Sequence, residues 1–307
     1  MKIAIFDGVN KFTQPLIDDW TAQGHEIKKD KSWDPRLVSW ADATFFEFCD
    51  ISIQRASDPN DSFYQNPEFG KQPQGKKIIV RAHDIDIHVG QLGRVQWEFV
   101  TDLVFVAKHL MDKALSEITL PSNVKVHLIK HGIDTSKFTF QERYPGHEIA
   151  WIGNINEAKN LPLALYVMAE LPRYYTLHVV GTGLSSWKKY YVENYIKRNH
   201  LNVEFIDHVE SINDFLQDKN YLLHTSGKEA FSYIVGEACA VGVKPVIHNF
   251  WGSENVWPRS WIWNTVSEAV QAIINPSVHD SQEYKNYIEQ NYPFADMLQK
   301  YNDILNK

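Results

Sequence analysis

The chain has 307 residues, enough for two domains that each bury a core. Its 44% hydrophobic and 22% charged content is that of a globular protein and excludes a disordered one. The formal charge of −7 is spread evenly, with 16 Lys+Arg against 19 Asp+Glu in residues 1–135 and 15 against 19 in the remainder, so neither half is basic and no strong attraction to nucleic acid or anionic membrane is evident.

In chain order, short apolar runs alternate with helix-like segments. The opening "MKIAIFDGVNKF" is too short in its apolar run to read as a signal peptide, and no stretch approaches the roughly 20 apolar residues of a membrane span. Strands are expected at "KIAIFD", "HEIKK", "ATFFEF", "KKIIVRAH", "DLVFVA" and "KVHLIKHG". A second set follows at "EIAWIGNI", "YTLHVVGTG", "VEFIDHV", "YLLHTS" and "KPVIHNF". Unbroken apolar runs bounded by turn residues suit parallel strands covered on both faces, and the intervening helices suit βαβ crossovers. The polar segment "DTSKFTFQERYPGHE" (134–148) separates the two sets. The fold class read from this is α/β, with two Rossmann-like doubly wound domains facing across a cleft. The expected limits are 1–135, 136–290 and a C-terminal helix over 291–307 that packs back on the first domain. Cys49 and Cys239 lie far apart in apolar surroundings, as buried thiols of a reducing compartment do, and a soluble cytoplasmic protein is expected.

Two stretches carry chemistry. In "IAWIGNINEAKNLPLAL" an apolar strand ends at Gly153, and a polar loop leads through Asn154 to Lys159 at a helix start. Ligands of open α/β sheets bind at the carboxyl ends of strands, and a lysine there can meet an anionic phosphate. "VVGTG" ends a second strand at Gly181 without completing a dinucleotide fingerprint. In "YLLHTSGKEAFSYIVGEACAVGVKPVIHNF", Glu229 falls in a loop, Ser232 is placed as a helix N-cap, and Glu237 lies just over one turn into the helix. A carboxylate at Glu237 can accept from a vicinal diol such as a ribose. One at Glu229 can serve sugar hydroxyls. Amides between them, backed by the helix end, can face a diphosphate.

Four ordered segments resemble the retaining GT-B glycosyltransferases of the family 4 type, the glycosyl transferases of group 1. They are "HGIDTSKF", "IGNINEAKN", "KEAFSYIVGEACAVGVKPVI" with its two glutamates seven residues apart, and "NFWGSENVW". The resemblance covers most of the second half; in the first half it is mainly one of pattern. It implies a nucleotide-diphosphate sugar as donor, a saccharide or other hydroxyl as acceptor, and no metal or other cofactor. It assigns Glu237 to the ribose, Glu229 to the donor sugar and Lys159 to the leaving diphosphate. Ala230, Phe231 and Ser232 would lend backbone amides. Gly8, in "FDGVNKF", matches the glycine loop of the first domain, and His83, in "VRAHD", a histidine near the donor sugar. The catalytic set is then Lys159, Glu229 and His83, and the donor set Gly8, Gly153, Asn154, Lys159, Gly181, Glu229, Ala230, Phe231, Ser232 and Glu237.

The chain departs from the pattern where Asn154 replaces the usual arginine, which removes one cation from the diphosphate site. "GVKPV" is one residue longer than the usual turn, and the first loop has a single glycine. Asp84 and Asp86, with His83 and His88, have the form of a metal motif of the other glycosyltransferase fold, but a strand-end loop without metal fits the organisation better. Trp251, Trp257, Trp261 and Trp263 are read as packing residues in preference to a sugar platform, and Tyr190 and Tyr191 as helix surface. The expected activity is sugar transfer with retention at the anomeric carbon. The alternatives are a nucleotide-sugar epimerase of the same architecture, or a catalytically weakened nucleotide-sugar-binding protein, the latter motivated by Asn154.

Overall fold

A computed structural model of the chain describes residues 1–9, 12–66, 72, 75–275 and 279–306. The chain divides into two compact units, Met1–His131 with Ala295–Lys307, and Gly132–Phe294.

The first unit holds a six-stranded parallel sheet of β1 (Lys2–Phe6), β2 (Glu26–Asp30), β3 (Ala43–Glu47), β4 (Lys77–Ala82), β5 (Asp102–Phe105) and β6 (Lys125–Leu128), in the order β2-β1-β3-β4-β5-β6. β3 and β5 are buried along their whole length, β1 and β4 in all but their first residue. That is why their sequences are mostly apolar with no alternation, the buried Glu47 of β3 and Arg81 of β4 pairing with each other. The edge strands β2 and β6 carry lysines and stay partly exposed, which blunts them against further pairing. The C-terminal helix, Phe294–Leu305, serves this unit from Ala295 on. Trp20 Nε1 donates to Asn302 Oδ1 (2.9 Å) and Lys77 Nζ to the carbonyl of Ile304 (2.9 Å).

The second unit holds β7 (Glu148–Ile152), β8 (Thr176–Val180), β9 (Asn202–Ile206), β10 (Tyr221–His224), β11 (Lys244–His248) and β12 (Ile262–Trp263), in the order β12-β11-β10-β7-β8-β9. This is the doubly wound order in which the winding reverses between the first and fourth strands, here β7 and β10. β12 lies inside the tryptophan-rich stretch and was not anticipated. Two residues are too few to show a strand period, and pairing with β11 creates it. Trp257, Trp261 and Trp263 are buried in the core, as expected, while Trp251 is half exposed. Tyr190 and Tyr191 are on the surface. Among the described residues no helix is long and apolar enough to cross a membrane.

Candidate active site

In the second unit, the loops that leave β7 and β10 meet at the reversal point of the sheet. Thr225 Oγ1 accepts from Trp151 Nε1 (2.8 Å) and donates to the carbonyl of Lys159 (2.8 Å). The Gly227 amide donates to the carbonyl of Ala158 (2.9 Å), and the Lys159 amide to Asn156 Oδ1 (3.0 Å). So tied, the two loops bring Lys159 and Glu229, 70 residues apart in sequence, into a direct ion pair. His224, the last residue of β10, places Nε2 3.4 Å from the same carboxylate oxygen. Burial alone would raise the Glu229 carboxyl. The His224 ring and the Lys159 charge outweigh it and hold the group down at about 2, ionised throughout the neutral range. Burial lowers the His224 imidazole; Glu229 opposes that shift and Lys159 reinforces it. His224 escaped the sequence reading, although a histidine closing an apolar strand at its carboxyl end is a visible signal.

The loop then runs through Ala230, Phe231 and Ser232 into helix Tyr233–Val241. The Phe231 ring is buried against Trp257 (5.1 Å) and Tyr292 (4.6 Å), which anchors the turn. Ser232 occupies the N-cap position, but the expected side-chain cap is absent. Its φ is +73°, whereas a capping serine sits in the extended region, and its Oγ is buried without a hydrogen-bond partner. Glu237 is half-buried on the helix. Gly153 and Gly181 close the ends of β7 and β8 against each other. A Cβ on Gly181 would lie 2.0 Å from the Gly153 carbonyl oxygen, and its φ of +144° disfavours any side chain. Asn154 is exposed in the loop that Lys159 ends.

The remaining site residues lie in the first unit. Gly8 follows β1 in an exposed turn organised by buried Asp7, which accepts from the Val9 amide (3.0 Å) and from Thr13 Oγ1 (2.6 Å). Asn10 and Lys11 of that motif lie outside the described residues. His83 is buried after β4, with Nε2 against Glu47 and its ring 4.3 Å from that of Phe48. The Asp84–His88 stretch, read as a loop, is a five-residue helix, and Asp86 Oδ2 accepts the His83 amide (2.8 Å) at its start. Among the described residues no group of three or more His, Cys, Asp or Glu is arranged to hold a metal ion.

The Glycosyl transferases group 1 family matches residues 134–291, just over half of the chain and the whole stretch from Gly153 to Glu237. The chain belongs to that family. No curated protein is similar enough in sequence to rank as a relative of this group 1 glycosyltransferase. Among solved structures it resembles Anabaena HepE in complex with UDP and glucose, with a TM-score of 0.73 at 14% identity over 100% of this chain and 99% of that one. It also resembles sucrose-phosphate synthase of Thermosynechococcus elongatus, with a TM-score of 0.75 at 10% identity over 100% and 98%. S. aureus TarM, a mutant in complex with fondaparinux, alpha-GlcNAc-glycerol and UDP, matches at a TM-score of 0.66 and 12% identity, over 87% of this chain and 56% of that chain. At these identities the likeness establishes the fold. The group 1 glycosyltransferase has the GT-B architecture, two parallel-sheet α/β domains of six strands each.

Proposed function

We propose that this glycosyltransferase moves a sugar from a nucleotide-diphosphate sugar to an acceptor hydroxyl, with retention at the anomeric carbon and without a metal. The observation that carries the reading is the Lys159–Glu229–His224 constellation at the reversal point of the second sheet, followed on the next helix by Glu237. A solved structure of the same fold is a complex with UDP and glucose, which supports a nucleotide sugar as donor. Glu237 accepts from the ribose hydroxyls, and Glu229 from hydroxyls of the donor sugar. Lys159 turns toward the diphosphate, joined by the turn Ala230–Ser232 and the positive end of its helix.

The bond from the anomeric carbon to the diphosphate breaks and a bond to the acceptor oxygen forms on the same face. The acceptor proton passes to the departing diphosphate. Catalysis rests on stabilising that leaving charge and on holding the acceptor on the face from which the diphosphate departs. His83 and the Gly8 turn belong to the donor-sugar and diphosphate side of the first unit. Two buried unpaired thiols, Cys49 and Cys239, support a cytoplasmic placement.

Incubation with a panel of nucleotide sugars, with and without candidate acceptors, tests this reading. Acceptor-dependent nucleotide release, retained anomeric configuration in the product and full rate in the presence of a chelator are the expected results. Interconversion of the sugar without acceptor identifies an epimerase. Binding with no turnover identifies a weakened binding protein, the reading that Asn154 in place of arginine favours.

A further inference from the structure

His83 is held by a buried ion pair that the leaving-group chemistry does not itself use. Glu47 and Arg81 stand opposite each other in the register of β3 and β4, and neither side chain is more than 1% exposed. Arg81 Nε lies 3.0 Å from each Glu47 oxygen. Its Nη1 donates to the Tyr301 hydroxyl of the C-terminal helix (3.1 Å) and its Nη2 to the Phe12 carbonyl (3.2 Å). Burial would raise the Glu47 carboxyl, but Arg81 and then His83 outweigh it and keep it ionised. An ionised carboxylate accepts only, so the His83 nitrogen against it must be the donor.

The imidazole has little room to turn over. Phe48 flanks it at 4.3 Å and Phe12 at 5.2 Å, and Phe48 holds a φ of +79° that non-glycine residues rarely adopt. Taking a charge pair out of water is costly, and breaking it by removing one partner is costlier still. The arrangement is therefore committed to one orientation of the ring.

We infer that Glu47 is a positioning residue that keeps a proton on His83 Nε2 in both protonation states, so that Nδ1 alone exchanges a proton or accepts a hydroxyl. Arg81, locked by Tyr301, holds Glu47 in that role. The tautomer is a property of the chain; its effect on turnover rests on the sugar-transfer reading. Glu47 on β3 and His131 after β6, 6.1 Å away, face the ring; Asp86 on the short helix accepts the His83 backbone amide, and Arg81 on β4 with Tyr301 on the C-terminal helix stands behind Glu47.

The test is long-range proton–nitrogen NMR of the full chain, with the His83 signal assigned by its loss in His83→Asn. A neutral ring protonated at Nε2 is expected in the wild type, and loss of that preference in Glu47→Gln. A neutral ring protonated at Nδ1 in the wild type overturns the inference, as does an unchanged Nε2 preference in a folded Glu47→Gln. This readout needs no turnover, so failure to find sugar transfer sinks the functional reading and leaves the tautomer result standing. Where transfer is measured, Glu47→Gln is expected to lower kcat about 10- to 100-fold, the range for carboxylates that orient metal-bound histidines, with donor KM unchanged. Tyr301→Phe acts in the same direction with a smaller loss, and carries the kinetic test if Glu47→Gln does not fold. An unchanged kcat in a folded Glu47→Gln, or in Tyr301→Phe where that variant carries the test, overturns the positioning role.

Discussion

Glu229 meets an ammonium and an imidazole at one oxygen, and this decides both its charge and its pH signature. Its folded pKa of about 2 lies below the ordinary 4.5. A depressed carboxylate adds stability above its unfolded pKa, and that contribution is lost as pH falls from about 4.5 toward about 2. Urea unfolding across that window should steepen in the wild type and flatten in Glu229→Gln; equal acid slopes would remove the pairing from the account. The neighbouring residues divide binding from turnover. Lys159→Ala should lower kcat about 100- to 1,000-fold, the cost of losing one preorganised charge stabiliser, with a lesser effect on donor affinity. Glu237→Ala should weaken donor binding by about 1–3 kcal/mol, roughly 5- to 150-fold, in a calorimetric titration. Undiminished affinity in the folded variant would refute the ribose role.

Among the elements, the strands were the most readable. All eleven expected runs contain strands; the central ones are legible because a parallel strand buried on both faces is mostly apolar, while the edge strands β2, β6 and β9 are partly exposed. The short elements were not readable. Helix Asp84–His88 spans little more than one turn, and its start is set by Asp86 reaching back to the His83 amide, a local bond that no apolar period reports. Gly181 shows why a weak motif is kept. The ends of β7 and β8 close so tightly that Gly181→Ala must displace the Gly153 carbonyl. A loss of about 1–3 kcal/mol in chemical denaturation is expected, as for other overpacked sites. A variant as stable as the wild type would mean that the two loops move apart freely.

For the whole molecule, each unit has its own sheet and the group 1 match falls on the second. A nucleoside diphosphate that binds the folded second unit should stabilise it by mass action, by about 2.7 kcal/mol at a hundredfold excess over its Kd. UDP and GDP in a thermal-shift series test this; no rise in Tm with either, at saturating concentration, argues against a nucleotide site. Much of the candidate site was legible at this scale. Gly153, Lys159, Gly181, Glu229 and Glu237 follow from strand ends, turn residues and helix starts, features that act over a few residues. The partners were not legible. Glu47 faces Arg81 because β3 lies beside β4, and His224 reaches Glu229 as it pairs with Lys159 because β10 lies beside β7. Nor could the sequence tell that Ser232 fills a cap position without capping, since that depends on a backbone angle imposed by the buried Phe231 turn. Apolar period and turn chemistry are local and can be read along the chain. Which carboxylate meets which cation is set by strand order and register, and these exist only once the sheet has assembled.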